Sequence, residues 1–470
     1  MEHLPSPLHS LHADQTKVPF VCKKSYDGGS FLTYPVREGK EYLLPAGSSS
    51  PGQRSFWQHE KLHPTPKEEL ESFFQTWLFF GLVHEMLADL CSPQDFIRAS
   101  QEASDKVMST SSLISITETW ISKVINGDIV ATYDHLAECL RVTFAALRAV
   151  NPAFDQRIKL SIASTGEVLE YAVNKAFHIE SIVRDNKCPA SWRTLIDEAP
   201  WTESMRAAGW CPSQIFILCQ GALSIQSLFY FTALRQPESP SRHRSCSQRK
   251  CTAYQNNHER YTTQHCISGC KCEDLSVNIG AIEDILLKGH IPLLRVIPGQ
   301  STADLRLEII SSQPDSQYVA LSHVWADGLG NPHANALPQC QLLRLQSLLQ
   351  RSNMPWDSGD SNQELLLWCD TLCCPVKPSE AKNRALLQMK RTYHDATMVL
   401  VLDASLQLCN SSLLTPEEIC ARISSSGWTR RLWTLQEGTL ILPSIIHIIL
   451  PFFEALIPFS GGCGWYLSRN

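Results

Sequence analysis

Tyr318–Asn331, YVALSHVWADGLGN, is a strand-length apolar run that ends in a histidine, a tryptophan and a glycine-containing turn. Three other short apolar runs accompany it: HIPLLRVI (290–297), ELLLWCDTL (364–372) and TMVLVLD (397–403). The stretches after Asn331, after Leu372 and after Asp403 read as helices, and this alternation is the signature of βαβ units and a parallel sheet. The expected fold is therefore α/β for the C-terminal part of the chain. Ligands of such sheets bind beyond the carboxyl ends of the strands. His323, Trp325, Asp327, Gly328 and Gly330 follow one strand, Asp370 and Cys373 close the next, and Asp403 closes a third, so these side chains are expected to converge. Trp325, Trp368 and Trp433 read first as core residues, because tryptophan is usually well buried.

The helix expected over 380–396 places Leu386, Met389, Tyr393 and Ala396 on one stripe, with Lys382, Arg391 and Asp395 at polar positions. Thr415-Pro416-Glu417-Glu418 has the order of a capping box and should open the last helix. Gly328-Leu329-Gly330-Asn331-Pro332 lacks the lysine of a phosphate loop, and Pro332 removes a backbone donor, so it reads as a turn. Asp370 and Glu437 are the candidates for a general acid or base, although a charged residue at a strand or helix end is more often a cap or an ion-pair partner. Cys373 has no assigned base beside it in the sequence and reads poorly as a nucleophile.

Upstream, residues 241–275 form a Cys/His-rich segment, with HRSCSQRKCTAYQNNHERYTTQHCISGCKC at 243–272. Thiolate and imidazole are the ligands a tetrahedral zinc prefers, and metal would order a segment too polar to fold on its own core. A structural zinc is expected on four of His243, Cys246, Cys251, His265, Cys270 and Cys272. The spacing fits no standard zinc template, so reduced, metal-free cysteines are the competing reading. No His-Glu-x-x-His pattern supports a catalytic zinc.

Residues 1–60 are Pro-, Gly- and Ser-rich and read as loops, and residues 61–240 as a mainly helical region. Its first helix is expected at Thr65-Pro66-Lys67-Glu68, with Leu70, Phe73, Phe74, Trp77, Phe80, Gly81, His84 and Leu87 on an apolar face. The α/β domain is assigned to 276–440. Residues 441–470 form an apolar tail broken by Pro443, Pro451 and Pro458 and carrying Glu454, which reads as an altered or truncated C-terminus rather than a membrane anchor. A formal net charge of -6 provides no basic excess for a phosphate backbone, so nucleic acid is not an expected partner. The N-terminus does not read as a secretory signal, which points to a cytoplasmic protein with its 18 cysteines reduced.

The series YVALSHVWADGLGN, LLLWCDTLCCPV, AKNRALLQMKRTYHDATMVLVLD and SGWTRRLWTLQEG, from Tyr318 to Glu437, resembles the successive motifs of the heterokaryon incompatibility (HET) domain of filamentous fungi. Tyr318, Ser322, Trp325 and Gly328 match the opening strand and its loop. Trp368 and Cys373 match the second strand's end and Tyr393 the middle helix, while Trp428, Arg431, Trp433 and Gln436 match the closing segment. His323 stands where the family usually has an aromatic, and Cys374-Pro375-Val376 where it has Ile-Asn-Gln. The resemblance implies self/non-self recognition or programmed-cell-death signalling through protein partners, including self-association. A non-enzymatic, zinc-stabilised interaction scaffold is the alternative. The α/β alternation also suggests a TIR- or flavodoxin-like sheet, and with it a minority reading as an NAD-cleaving effector.

Overall fold

The computed structural model describes residues 4, 7, 17–41, 65–99, 106–150, 153–178, 191–220, 223–236, 243–257, 259–297, 305–351, 366–410, 413–430, 445–450 and 453–457. His258, Arg431, Trp433, Gln436 and Glu437 lie outside the described residues. Chain contacts divide the molecule into two compact units, Met1–Ala208 with Ile215–Leu234, and Gly209–Gln214 with Arg235–Asn470.

The first unit is helical, with one small antiparallel pair, β1 (Ile97–Ala99) and β2 (Lys106–Met108). Its first long helix starts at Lys67, with Pro66 as the N-cap residue and no side-chain cap. The helix start expected at Thr65-Pro66-Lys67-Glu68 thus has proline and not threonine in the cap position, one residue later than the sequence order suggests. Helix Lys67–Phe74 runs through a π-helical stretch, Gln75–Gly81, into helix Leu82–Leu87. Every residue from Leu70 to Val83 is buried, so this is an enveloped core element and not the one-faced helix its periodicity suggests. Trp77 is fully buried, stacks on Phe31 at 5.6 Å and donates its indole N–H to the Phe31 carbonyl at 3.0 Å. Gln75 is buried because its amide is satisfied, accepting from Val21 N at 2.7 Å and donating to Pro19 O at 2.9 Å. Helices Leu113–Ile125, Tyr133–Arg148 and Gln156–Ala176 pack into the same core.

Gly166, inside helix Gln156–Ala176, faces the Trp192 ring so closely that a Cβ would stand 2.4 Å from it. An alanine gains about 1 kcal/mol of helix propensity, but overpacking a fixed indole costs more, roughly 1–3 kcal/mol. Gly166→Ala is therefore expected to lower the unfolding midpoint of this unit in urea. An unchanged or raised midpoint would show that Trp192 gives way freely.

The second unit carries a small antiparallel pair, β3 (Asp274–Ser276) with β7 (Ala336–Pro338), and a seven-stranded sheet. The sheet strands are β4 (Pro292–Ile297), β5 (Arg306–Ser311), β6 (Tyr318–His323), β8 (Leu366–Trp368), β9 (Met398–Leu402), β10 (Ile445–Leu450) and β11 (Phe453–Ile457), in the order β11-β10-β9-β6-β8-β4-β5. Strands β8, β6, β9 and β10 are mutually parallel, as expected, with Val319 opposite both Leu367 and Met398. The two flanks are antiparallel, which corrects the expectation of a purely parallel sheet. At the outer edges the reason is the short links of the β4–β5 and β10–β11 hairpins, which return a strand antiparallel. All residues of β6 and β9 are buried, as befits strands covered on both faces. Part of the apolar tail forms β10 and β11, because its proline-broken runs have strand length.

Helix Glu380–His394 opens on Ser379, whose side chain accepts from Lys382 N, and helix Pro416–Ser425 on Thr415, whose side chain accepts from Glu418 N. The second is the cap read from Thr415-Pro416-Glu417-Glu418. Among the described residues no helix is long and apolar enough to cross a membrane.

Candidate functional site

The carboxyl ends of β6, β8 and β9 meet in two hydrogen-bonded clusters. In the first, buried His323 at the end of β6 donates from Nε2 to Asp370 Oδ1 at 2.7 Å, just beyond β8. Trp325 donates its indole N–H to Asp370 Oδ2 at 2.8 Å, and Thr371 N donates to Oδ1 at 2.6 Å. Both carboxylate oxygens are thus engaged. Burial pulls the His323 imidazolium down, but the Asp370 charge and hydrogen bond outweigh it and raise the histidine from 6.5 to about 10. The pair is therefore ionic at neutral pH.

In the second cluster Asp403, at the end of β9, is buried and accepts from Ser405 N and Leu406 N through Oδ1 and from Trp428 N through Oδ2. Trp428 in turn donates its indole N–H to Ser322 Oγ at 2.7 Å, returning to β6. Asp327 accepts from Ala404 N at 2.8 Å and ties the loop after β6 to the end of β9.

A cavity of about 380 Å³ opens beside the first cluster. Trp325, Asp370, Thr371 and Lys382 supply its polar and aromatic lining, and Leu386, Met389 and Tyr393 its apolar wall. Leu386, Met389 and Tyr393, expected on one stripe of helix Glu380–His394, all line this space, and Met389 also packs against the core. Trp325 is likewise half-buried on the cavity wall and not in the core, because its indole N–H reaches for Asp370. Trp368 does lie in the core, edge-on to Tyr393 at 5.4 Å. The phenols of Tyr318 and Tyr393 donate to Thr392 O at 2.5 Å and Leu321 O at 3.3 Å, bracing the helix against the sheet. Cys373 is buried, and burial pushes its thiol far above the ordinary value, so it offers no thiolate.

Gly328 has φ +99, the left-handed conformation that ends the turn Trp325–Asp327, and a Cβ on Gly330 would stand 2.5 Å from the Trp325 ring. These glycines serve a tight turn against an indole.

The Cys/His segment resolves into two groups of four. Cys211, His243, Cys246 and Cys251 have their ligand atoms within 4.8 Å of one another, and so have His265, Cys270, Cys272 and Cys340. Either group can hold a metal ion. The six residues singled out in the sequence divide three and three, and each trio is completed by a cysteine from elsewhere in the chain. Cys211 and Cys340 escaped sequence reasoning because neither lies in the segment. Their signal is a polar or proline-flanked setting, Trp210-Cys211-Pro212 and Gln339-Cys340-Gln341, unlike the apolar runs that hold core cysteines. Cys266 stays outside the second group, its thiol directed to the Cys340 carbonyl at 3.2 Å. No disulfide joins any of the described cysteines.

No curated protein and no solved structure matches the chain. The opening strand, the His323–Asp370 pair, the bracing tyrosines and Thr415 all fall within residues 318–416, which match the family model described as Heterokaryon incompatibility protein (HET), and the chain is therefore a HET domain-containing protein.

Proposed function

We propose that this chain is a cytoplasmic responder in fungal self/non-self recognition or cell-death signalling, acting through protein contacts, including self-association, and not through catalysis. The HET match supports the signalling class. The observation that carries the non-catalytic form is the structural engagement of Asp370, whose Oδ1 accepts from His323 and Thr371 and whose Oδ2 accepts from Trp325, so that its charge is spent on holding the loop and the histidine in place. The parallel strands run in the order second, first, third, fourth, as in flavodoxin-like sheets, which supports a flavodoxin- or TIR-like architecture. Zinc in the 241–275 segment belongs to the same reading, as a structural element of an interaction scaffold.

One observation favours a second reading. The cavity has the volume of a small-molecule site and lies at the carboxyl ends of the strands, where an NAD-cleaving effector would bind its substrate, with Glu437 as the remaining acidic candidate. Inducible expression in a filamentous fungus separates the two. Wild type and Glu437→Gln are both expected to arrest growth, and the purified chain to release no nicotinamide from NAD. Growth unchanged by the wild-type chain would overturn the signalling role. Nicotinamide release abolished by Glu437→Gln would replace binding with catalysis.

A further inference from the structure

The distances inside the two Cys/His groups are those of a coordination polyhedron. A tetrahedral zinc with bonds of about 2.3 Å to sulfur and about 2.05 Å to nitrogen has S···S edges of about 3.8 Å and S···N edges of about 3.6 Å. Cys246 Sγ lies 3.7 Å from Cys251 Sγ, and the two sulfurs lie 3.6 and 3.7 Å from His243 Nδ1. In the other group, His265 Nδ1 lies 3.3 Å from Cys272 Sγ and 3.6 Å from Cys340 Sγ. Backbone amides are directed at the sulfurs. Thr252 N donates to Cys246 Sγ at 3.3 Å, Cys340 N to Cys272 Sγ at 3.4 Å, and Cys266 N to Cys340 Sγ at 3.3 Å. Such donors stabilise the thiolate form that binds metal.

The second group is assembled by strand register. β3 pairs with β7 so that Asp274 faces Pro338. Two residues outward on each strand, the antiparallel register brings Cys272 and Cys340 together. Between the two groups the chain crosses the loop after β6. Tyr261 Oη donates to the Trp325 carbonyl and accepts from Gly330 N at 2.9 Å, Thr263 Oγ1 donates to Gly330 O at 2.7 Å, and Gln264 N donates to Gly328 O at 2.9 Å. Gln341, next to Cys340, donates to Gln264 O at 2.8 Å. A Cβ on Gly328 would stand 2.6 Å from the Gln264 side chain, so the crossing is close-packed as well as hydrogen-bonded. Tyr254 and Asn256, just past Cys251, complete the cavity wall.

Resting on the zinc reading above, we infer that the chain binds two zinc ions, one on Cys211, His243, Cys246 and Cys251 and one on His265, Cys270, Cys272 and Cys340, and that the second clamps residues 261–264 as a strap over the Trp325–Gly330 loop. Polar and with almost no core of its own, the strap depends on the metal for its order. The consequence is that zinc at the second centre fixes the Trp325 side of the cavity, and its removal releases that wall.

Metal analysis and hydrogen exchange on the full-length chain test both halves. Elemental analysis should find two zinc ions per chain, one for each group. Cys211→Ser and Cys340→Ser should each retain one, while His265→Cys, which exchanges one zinc ligand for another, should retain both. In Cys340→Ser, exchange of the Gln264 and Gly330 amides should rise at least about tenfold while the β6 amides stay protected. Should Cys340→Ser not fold, the wild-type chain compared before and after graded chelation gives the same reading. Less than one zinc per chain, or an iron–sulfur chromophore in its place, overturns the metal centres and with them the zinc reading. Two zinc ions with Gln264 and Gly330 exchange unaffected by loss of the second overturns the strap alone.

Discussion

Replacing Asp370 with alanine is expected to destabilise the α/β unit by about 3–5 kcal/mol, the usual cost of leaving one member of a buried ion pair without its partner. The His323 side chain is almost fully enclosed, with 1% of its surface exposed, and Asp370 retains 23%. The substitution also strips the acceptor from the Trp325 indole and from Thr371 N. Hydrogen exchange of the β6 and β9 amides measures the loss without requiring the two units to unfold together. The pH dependence should change sign. In the wild type the folded value of His323 is raised from 6.5 to about 10, so its contribution is complete below about pH 6.5 and is lost as pH rises through about 10. Without Asp370 burial acts on the imidazole with only Cys369 left to oppose it, so the ring is expected to fold neutral and stability to fall instead as the solution is acidified. Asp370→Asn, which keeps an oxygen for Trp325, should show the same reversal with a smaller loss. A loss under about 1 kcal/mol, or a pH profile shared with the wild type, would mean that the pair is not ionic.

Much of this arrangement was legible in the sequence. The runs YVALSHV, LLLW and TMVLVLD became adjacent parallel strands because each is short, apolar and separated from the next by a helix. Their shared carboxyl end then follows, and with it the His323–Asp370 pair, whereas Asp403 is held in a separate cluster with Ser405, Leu406 and Trp428. The antiparallel partner of β4 was hidden because RLEIIS (306–311) is half polar, having one face to bury where β6 and β9 have two. Chemistry was legible in the Cys/His segment, but its division was not. Composition names the ligand types, whereas grouping depends on register, and Cys340 reaches Cys272 across 68 residues through the β3–β7 pairing. Trp325 was misplaced for a similar reason. Burial tendency alone assigns an indole to the core, and only the position of an acceptor, Asp370, draws its N–H to a cavity wall.

Asp403 predicts the second large effect, because it joins three segments at once. It ends β9, its Oδ1 caps helix Ala404–Gln407 by accepting from Ser405 N at 2.9 Å and Leu406 N at 3.2 Å, and its Oδ2 takes Trp428 N at 2.8 Å. Asp403→Ala leaves three amide donors without their acceptor in a buried setting, at about 1–3 kcal/mol each where water cannot enter, so a loss of about 4 kcal/mol is expected. Trp428 should move with it, since the held amide sets the height at which its indole reaches Ser322 Oγ. Asp403→Asn separates hydrogen bonding from charge. Its carbonyl oxygen can still cap the helix, but its amino group then faces the Trp428 amide, donor against donor, so about half the loss should remain. Chemical denaturation of the three proteins gives the order wild type, asparagine, alanine. If asparagine costs as much as alanine, the negative charge and not the two-sided acceptor is what this corner of the sheet requires.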